Sequence, residues 1–324
     1  MIRIDHLTHV YPGSRKTAPR TAISDLSLQV GDGEFAILSG PNGSGKSTLF
    51  RILCGLALPS SGTVHIGGFD LFTQAAKVRT ILGVVFQSPA VDKHLSVAEN
   101  LRIHADLYGL RGAEFSRRRD EALGWTDLAD RLDQQVATLS GGLARQVELA
   151  KVLMTDPKVL LLDEPTTGLD PVSRRNFLDA LHRLQKSRGM TVLMTSHVFA
   201  EADDVDRVAI MREGVLLAYD TPAALKAMIG TEMVVVQAKD TEGLAARLRS
   251  EMGLAVRCIG DEVRLEETEN GESLPLLEKI LDRYRPEVLS ISIKQPGLDD
   301  VFVHVTSRAV PDHALALDLR RTGS

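Results

Sequence analysis

Gly40-Pro41-Asn42-Gly43-Ser44-Gly45-Lys46-Ser47-Thr48 has the spacing G-x-x-x-x-G-K-[ST], and its setting matters as much as its letters. FAILS at 35–39, just before it, reads as a buried strand, and TLFRILCGL after it reads as a helix. Glycines let the backbone turn its N–H groups toward an anion, and the following helix N-terminus adds the positive end of its dipole. Lys46 can then reach the β- and γ-phosphates of a nucleotide, and Ser47 can ligate magnesium. The bland rival is a Gly-rich strand-to-helix turn with no ligand, which explains neither Lys46 nor the flanking elements.

Working outward, short apolar or β-branched runs alternate with amphipathic stretches: ILGVVFQ at 81–87, VLLLD at 159–163, TVLMTS at 191–196 and RVAIM at 207–211. Continuous apolar runs of this length predict buried parallel strands in an α/β fold. From 88 to about 156 the strand signal is gone. SVAE at 96–99 has the Ser-x-x-Glu spacing of a capping box, and the apolar residues after it recur at helical intervals, which predicts a helical insertion. Near Glu213-Gly214 a turn joins RVAIM to VLLAY as a closing hairpin. Beyond Thr221-Pro222 the segments MVVVQAK, GLAARLRSEM, AVRCI, EVRLE, LPLLEKILDRY and VLSISIK spell β-α-β-β-α-β, the order of a ferredoxin-like α+β domain. The expected division is therefore 1–225, with its helical part at about 88–156, then a small domain over 231–308 and a polar tail over 309–324.

Composition agrees with that division. The 324 residues are many for one core, while 44% hydrophobic and 25% charged residues exclude bulk disorder. A net charge of −5 gives no overall basic footprint, so no nucleic-acid partner is expected. Cys54 and Cys258 form no CxxC pair, which argues against a zinc site and for a reducing compartment. The beginning, MIRIDHLTHVYPGSRK, lacks an apolar leader core, and no apolar run is long enough to cross a bilayer. A cytoplasmic protein is expected, and any service to a membrane would be from outside it. His6, His9, His94 and His104 lack the spacing of metal ligands, and Arg117-Arg118-Arg119 reads as a solvated helix face.

A phosphate-binding loop alone does not separate kinases, GTPases and transport ATPases. VLLLDEP at 159–165 adds a strand that ends in Asp163, suited to hold Mg²⁺ directly or through water. Glu164 beside it is a candidate general base for an attacking water. LSGG at 139–142 opens a second helix with Ser140, Gly141 and Gly142, another anion-binding N-terminus far from the first. With Thr195-Ser196-His197 ending the next strand, this makes a four-part pattern in a fixed order.

On these residues the chain resembles the ABC ATPases over residues 1 to about 225, and so a P-loop NTPase fold with an ABC-type helical subdomain is expected. The resemblance implies that ATP and Mg²⁺ are the ligands, that Tyr11 stacks on adenine, and that Gln87 touches the metal and the γ-phosphate side. It gives Gly168-Leu169-Asp170 as the D-loop and His197 as the switch histidine that bonds the γ-phosphate and Glu164. Ser140-Gly141-Gly142 would face the phosphate-binding loop of a second ATPase subunit, most simply another copy of this chain. One departure is visible: many members follow the signature with Gln or Met and then a Gln-Arg or Arg-Arg pair, where this chain has Leu143-Ala144-Arg145-Gln146.

SPAVDKHLSVAENLRIHADLYGL at 88–110 and PGLDDVFVHVTSR at 296–308 resemble ATPases of the ABC-2 and daunorubicin-resistance type. The resemblance implies export, a separate transmembrane permease, and a peripheral position on the cytoplasmic face of the membrane. The rival is a non-transport ABC ATPase acting on nucleic acid or ribosomes. Such proteins carry long coiled-coil insertions or two ATPase halves, and this sequence has neither.

Overall fold

The computed structural model describes residues 1–13, 18–230, 232–266 and 273–309. The chain divides into two compact units, Met1–Asp220 and Thr221–Ser324.

The first unit is built on a six-stranded sheet in the order Val215–Asp220, Arg207–Arg212, Phe35–Ser39, Thr191–Ser196, Val159–Asp163, Leu82–Val85. All neighbours in it are parallel except the first pair, the hairpin turning at Glu213-Gly214. Every residue of Phe35–Ser39 and Thr191–Ser196 is buried. This is why those strands are apolar without alternation: both faces of the sheet are covered. A second, antiparallel sheet, ordered Arg20–Val30, Ile2–Tyr11, Ser61–Ile66, Phe69–Asp70, had no counterpart in the sequence reading. Ile2, Ile4 and Leu7 of this sheet share one core with Leu49, Phe50, Ile52 and Leu53 of helix Lys46–Leu53.

The stretch at 88–156 is helical as expected, with Val97–Leu107, Gly112–Leu123 and Gly141–Leu153. The capping box is present: Ser96 accepts from the Glu99 N–H, and the Glu99 carboxylate accepts from the Ser96 N–H.

In the second unit the strands lie in the order Val256–Ile259, Glu262–Glu266, Met233–Ala238, Val288–Lys294, each antiparallel to its neighbours. Helices Thr241–Met252 and Ser273–Tyr284 cover one face and enclose Val234, Val236, Leu244, Leu248, Val263 and Ile280. This is the ferredoxin-like arrangement, with a further helix, Leu298–Ala309, whose Asp300 pairs with Arg264 of the sheet. The expected polar tail falls at 310–324, outside the described residues, apart from Ala309 at the end of that helix.

Candidate functional site

Strand register brings the candidate site residues into one row. Ser39 pairs with Ser196, Asp163 with Thr195, and Val85 with Leu162, so the turns that follow these four parallel strands lie side by side. The carboxyl edge of a parallel sheet is where such folds bind ligands, because the loops there converge and helices begin there. Those turns carry Gly40–Thr48, His197, Asp163-Glu164 and Gln87.

In the first turn, Gly40, Gly43 and Gly45 adopt φ values of 154°, 82° and 104°. A Cβ on Gly40 would lie 2.2 Å from the Met211 carbonyl oxygen, and one on Gly45 would lie 2.6 Å from that of Ala22. Glycine is required at both for the conformation and for the close approach. The buried Lys46 ammonium donates to the carbonyls of Gly40 at 2.6 Å and Pro41 at 3.1 Å. Burial lowers its pKa, and the nearby charges of Glu164 and Asp163 oppose that shift. Ser47 and Thr48 stand in the first turn of helix Lys46–Leu53, where Tyr11 Oη lies 3.2 Å from Thr48 Oγ1. Tyr11 is 39% exposed.

Thr195 organises the acidic pair. Its hydroxyl donates to Asp163 Oδ1 at 2.6 Å and accepts from the Glu164 N–H at 2.9 Å. Glu164 is thereby held with φ 42°, a left-handed conformation that costs a non-glycine residue about 1 kcal/mol or more. Burial raises the pKa of Asp163, the Thr195 hydrogen bond lowers it, and the Glu164 charge adds a smaller upward push. Glu164 Oε2 is the focus of the row: Gln87 Nε2 donates to it at 3.2 Å, Thr167 Oγ1 at 3.3 Å, and His197 Nδ1 lies 3.3 Å away. A carboxylate oriented in this way, beside a lysine and a half-buried aspartate, suits proton abstraction from a water.

The remaining residues form a second group where two helices begin. Ser140 caps helix Gly141–Leu153 and accepts from the Leu143 N–H at 3.3 Å. Asp170 caps helix Pro171–Arg188, accepts from the N–H groups of Val172 and Ser173, and takes the Ser173 hydroxyl at 2.5 Å. The two caps touch: a Cβ on Gly142 would lie 2.8 Å from Ser173 Oγ.

Sequence reasoning passed over two buried networks around this row. Glu201, 4% exposed, accepts from Thr166 Oγ1 at 2.7 Å and Ser196 Oγ at 2.6 Å, and Arg174 Nε lies 3.5 Å away. It thereby ties the exit from Asp163-Glu164 to the His197 turn and the Asp170 helix. Arg145 and Glu148 form the other, against the backbone around Gln87. A charged pair three residues apart on an otherwise apolar helix face was the available signal. The departure Leu143-Ala144-Arg145-Gln146 has a local role as well: Gln146 accepts from the Asp127 N–H at 2.7 Å and donates to the Asp127 side chain at 3.0 Å. Arg117, Arg118 and Arg119 all pair with acids, chiefly Glu114, Glu121, Asp156 and Asp120, which fits a solvated face. Among the described residues no cluster of three or more His, Cys, Asp or Glu is placed to hold a metal ion.

The chain is similar to known proteins in sequence and fold. Residues 23–167 match a family model described as ABC transporter. A daunorubicin resistance ATP-binding protein of Streptomyces coeruleorubidus is 34% identical over 90% of this chain and 93% of its own length. A Nod factor export ATP-binding protein of Paraburkholderia xenovorans is 34% identical over 90% and 94%. Among solved structures, cbiO1 of Clostridium perfringens, part of an ABC transporter complex, is 30% identical, with a TM-score of 0.64 over 70% of this chain and 90% of its own. A dimeric ATP-binding cassette in a post-hydrolysis state with ADP and phosphate is 27% identical, with a TM-score of 0.60 over 68% of this chain and 98% of its own.

Proposed function

The chain belongs to the ATP-binding subunits of ABC transporters and is the ATP-hydrolysing subunit of an exporter; from that premise we propose how its residues divide the work and what it works with. Gly40–Thr48 cradles the phosphates of ATP, with Lys46 leaving its loop carbonyls to meet the β- and γ-phosphates. Tyr11 packs on the adenine. Ser47, Gln87 and Asp163 offer the hydroxyl, amide and carboxylate oxygens that suit a hard cation, and the two glycines without room for a Cβ let the loop backbone turn tightly. A magnesium ion held there would neutralise charge building on the phosphate oxygens.

Glu164 takes the proton of the attacking water. The observation that carries this reading is the convergence of Gln87, Thr167 and His197 on its Oε2. These contacts fix the carboxylate ahead of reaction, so that little reorganisation remains at the transition state. Ser140, Gly141, Gly142 and Asp170 complete the site of a second ATPase subunit, another copy of this chain being the simplest partner. We place the domain boundary between Asp220 and Thr221, with the helical part at about 88–156 passing closure to a separate transmembrane permease. Among the described residues no helix is long and apolar enough to cross a membrane. By its likeness to exporter ATPases we place the subunit on the cytoplasmic face of the bilayer, held there by its permease.

The test is a pair of measurements on purified protein. Wild type should hydrolyse ATP only with Mg²⁺, and Glu164→Gln should lower kcat roughly 100-fold or more while an ATP-stabilised dimer appears in size-exclusion chromatography. Full activity in Glu164→Gln would remove the base assignment, and absence of any ATP-dependent dimer would remove the role given to Ser140-Gly141-Gly142.

A further inference from the structure

Helix Gly141–Leu153 buries an ion pair on the side that meets the turn after strand Leu82–Val85. Arg145 is 3% exposed and Glu148 2%. Arg145 Nη1 donates to Glu148 Oε2 and to the Phe86 carbonyl, both at 2.6 Å, and Nη2 donates to the Gln87 carbonyl at 2.5 Å. The other oxygen of Glu148 accepts from the Ala90 N–H at 3.2 Å, and Lys151 donates to the Ala90 carbonyl. Three residues on one helix face thus grip the backbone at 86, 87 and 90.

Stability alone does not explain this arrangement. Taking a guanidinium and a carboxylate out of water costs several kcal/mol each, and apolar residues of the same volume are often equal or better in such places. An apolar pair could not fix the direction of two successive carbonyls, whereas the rigid fork of a guanidinium can. The side chain of the residue so held, Gln87, reaches Glu164 Oε2. The contacts therefore run from the helix opened by Ser140-Gly141-Gly142, through Arg145, to the backbone and then the amide of Gln87, and on to Glu164.

We propose that Arg145 is a positioning residue for hydrolysis: it sets the aim of Gln87 at Glu164 and makes that aim follow the helix that begins at the signature residues. A shift of this helix when a partner's nucleotide engages Ser140 is carried to the catalytic carboxylate without passing through solvent. The inference rests on the role given above to Gln87 and Glu164.

The experiment uses full-length protein and compares melting temperature, kcat and the KM for Mg-ATP in Arg145→Lys, Gln87→Ala, the double variant Arg145→Met with Glu148→Leu, and the double variant combined with Gln87→Ala. The double variant removes the buried charges together and should melt near wild type, while kcat falls about 10-fold with KM little changed. Adding Gln87→Ala to it should cost no further kcat, because both changes break one chain of contacts. Arg145→Lys keeps the charge opposite Glu148 but not the fork; it should show the same loss of kcat, and it decides the matter if the apolar pair fails to fold. Wild-type kcat in the double variant or in Arg145→Lys would overturn the inference, as would losses that multiply with Gln87→Ala. Wild-type kcat in Gln87→Ala would overturn both the role of Gln87 and this inference. A slow Gln87→Ala beside a fast double variant would leave that role standing and remove only the inference.

Discussion

His104 shows how one side chain couples the helical part to pH. Burial, and secondarily the charge of Lys151, lowers its pKa to about 4, and its Nε2 is buried without a hydrogen-bond partner. The unfolded chain takes up a proton near pH 6.5, whereas the folded protein does so only near 4, so stability is present above pH 6.5 and is lost between those limits. His104→Leu should flatten this acid-side loss by on the order of 1 kcal/mol, discounted because the ring is only partly enclosed, and melting temperatures at pH 7 and pH 5 would measure it. Glu164 poses the opposite problem. Its left-handed backbone suits glycine, so Glu164→Gly should raise the melting temperature, by about 1 kcal/mol of stability, while abolishing hydrolysis. A lower melting temperature would mean that the contacts from Gln87 and Thr167 outweigh the strain.

Among the elements, the two helix starts at Ser140 and Asp170 act as one piece because Gly142 lies against Ser173. Gly142→Ala needs no unusual backbone angle, yet its methyl would meet Ser173 Oγ at 2.8 Å and Cβ at 2.9 Å. It should cost about 1–2 kcal/mol in melting experiments and weaken the ATP-stabilised dimer, with partial recovery when Ser173→Gly is added. The elements legible in the sequence were those with an unbroken period. The parallel strands read as apolar runs, and Ser96 and Glu99 announced their helix. The sheet containing Ile2–Tyr11 and Arg20–Val30 escaped because its alternation breaks at irregularities that shift the register between Ile4 and Val10, with positive φ at His6 and Asp25. The run PGLDDVFVHVTSR at 296–308 is recognisable in the sequence, but the contact of helix Leu298–Ala309 with Arg264 depends on a strand more than thirty residues away, which no local pattern encodes.

Across the whole molecule, each unit has a core of its own. Residues 221–324 alone should therefore fold with a cooperative transition, and calorimetry of the full chain should resolve that transition beside the melting of the ATPase unit. A fragment with no cooperative melting would assign its stability to the rest of the chain. The candidate residues Lys46, Gln87, Glu164 and His197 were legible as a motif order, since each follows a strand of the central sheet. The supporting residues Glu201 and Arg145 were not, because their partners lie 35 and 58 or 59 positions away and are chosen by packing.

The pairing of Ser39 with Ser196, and of strand Phe35–Ser39 with Arg207–Arg212, also bears on synthesis. The nucleotide loop is made early, but both of its sheet neighbours emerge only after some 150 further residues. Contacts this distant in sequence form slowly, because a long loop must close before they are rewarded. Until Thr191–Ser196 and Arg207–Arg212 have emerged, the glycine-rich segment lacks the two parallel strands that flank Phe35–Ser39 in the folded sheet. The row of strand-end turns that gathers Lys46, Glu164 and His197 is therefore completed late in synthesis, and a chain stalled before residue 212 should show no ATP hydrolysis.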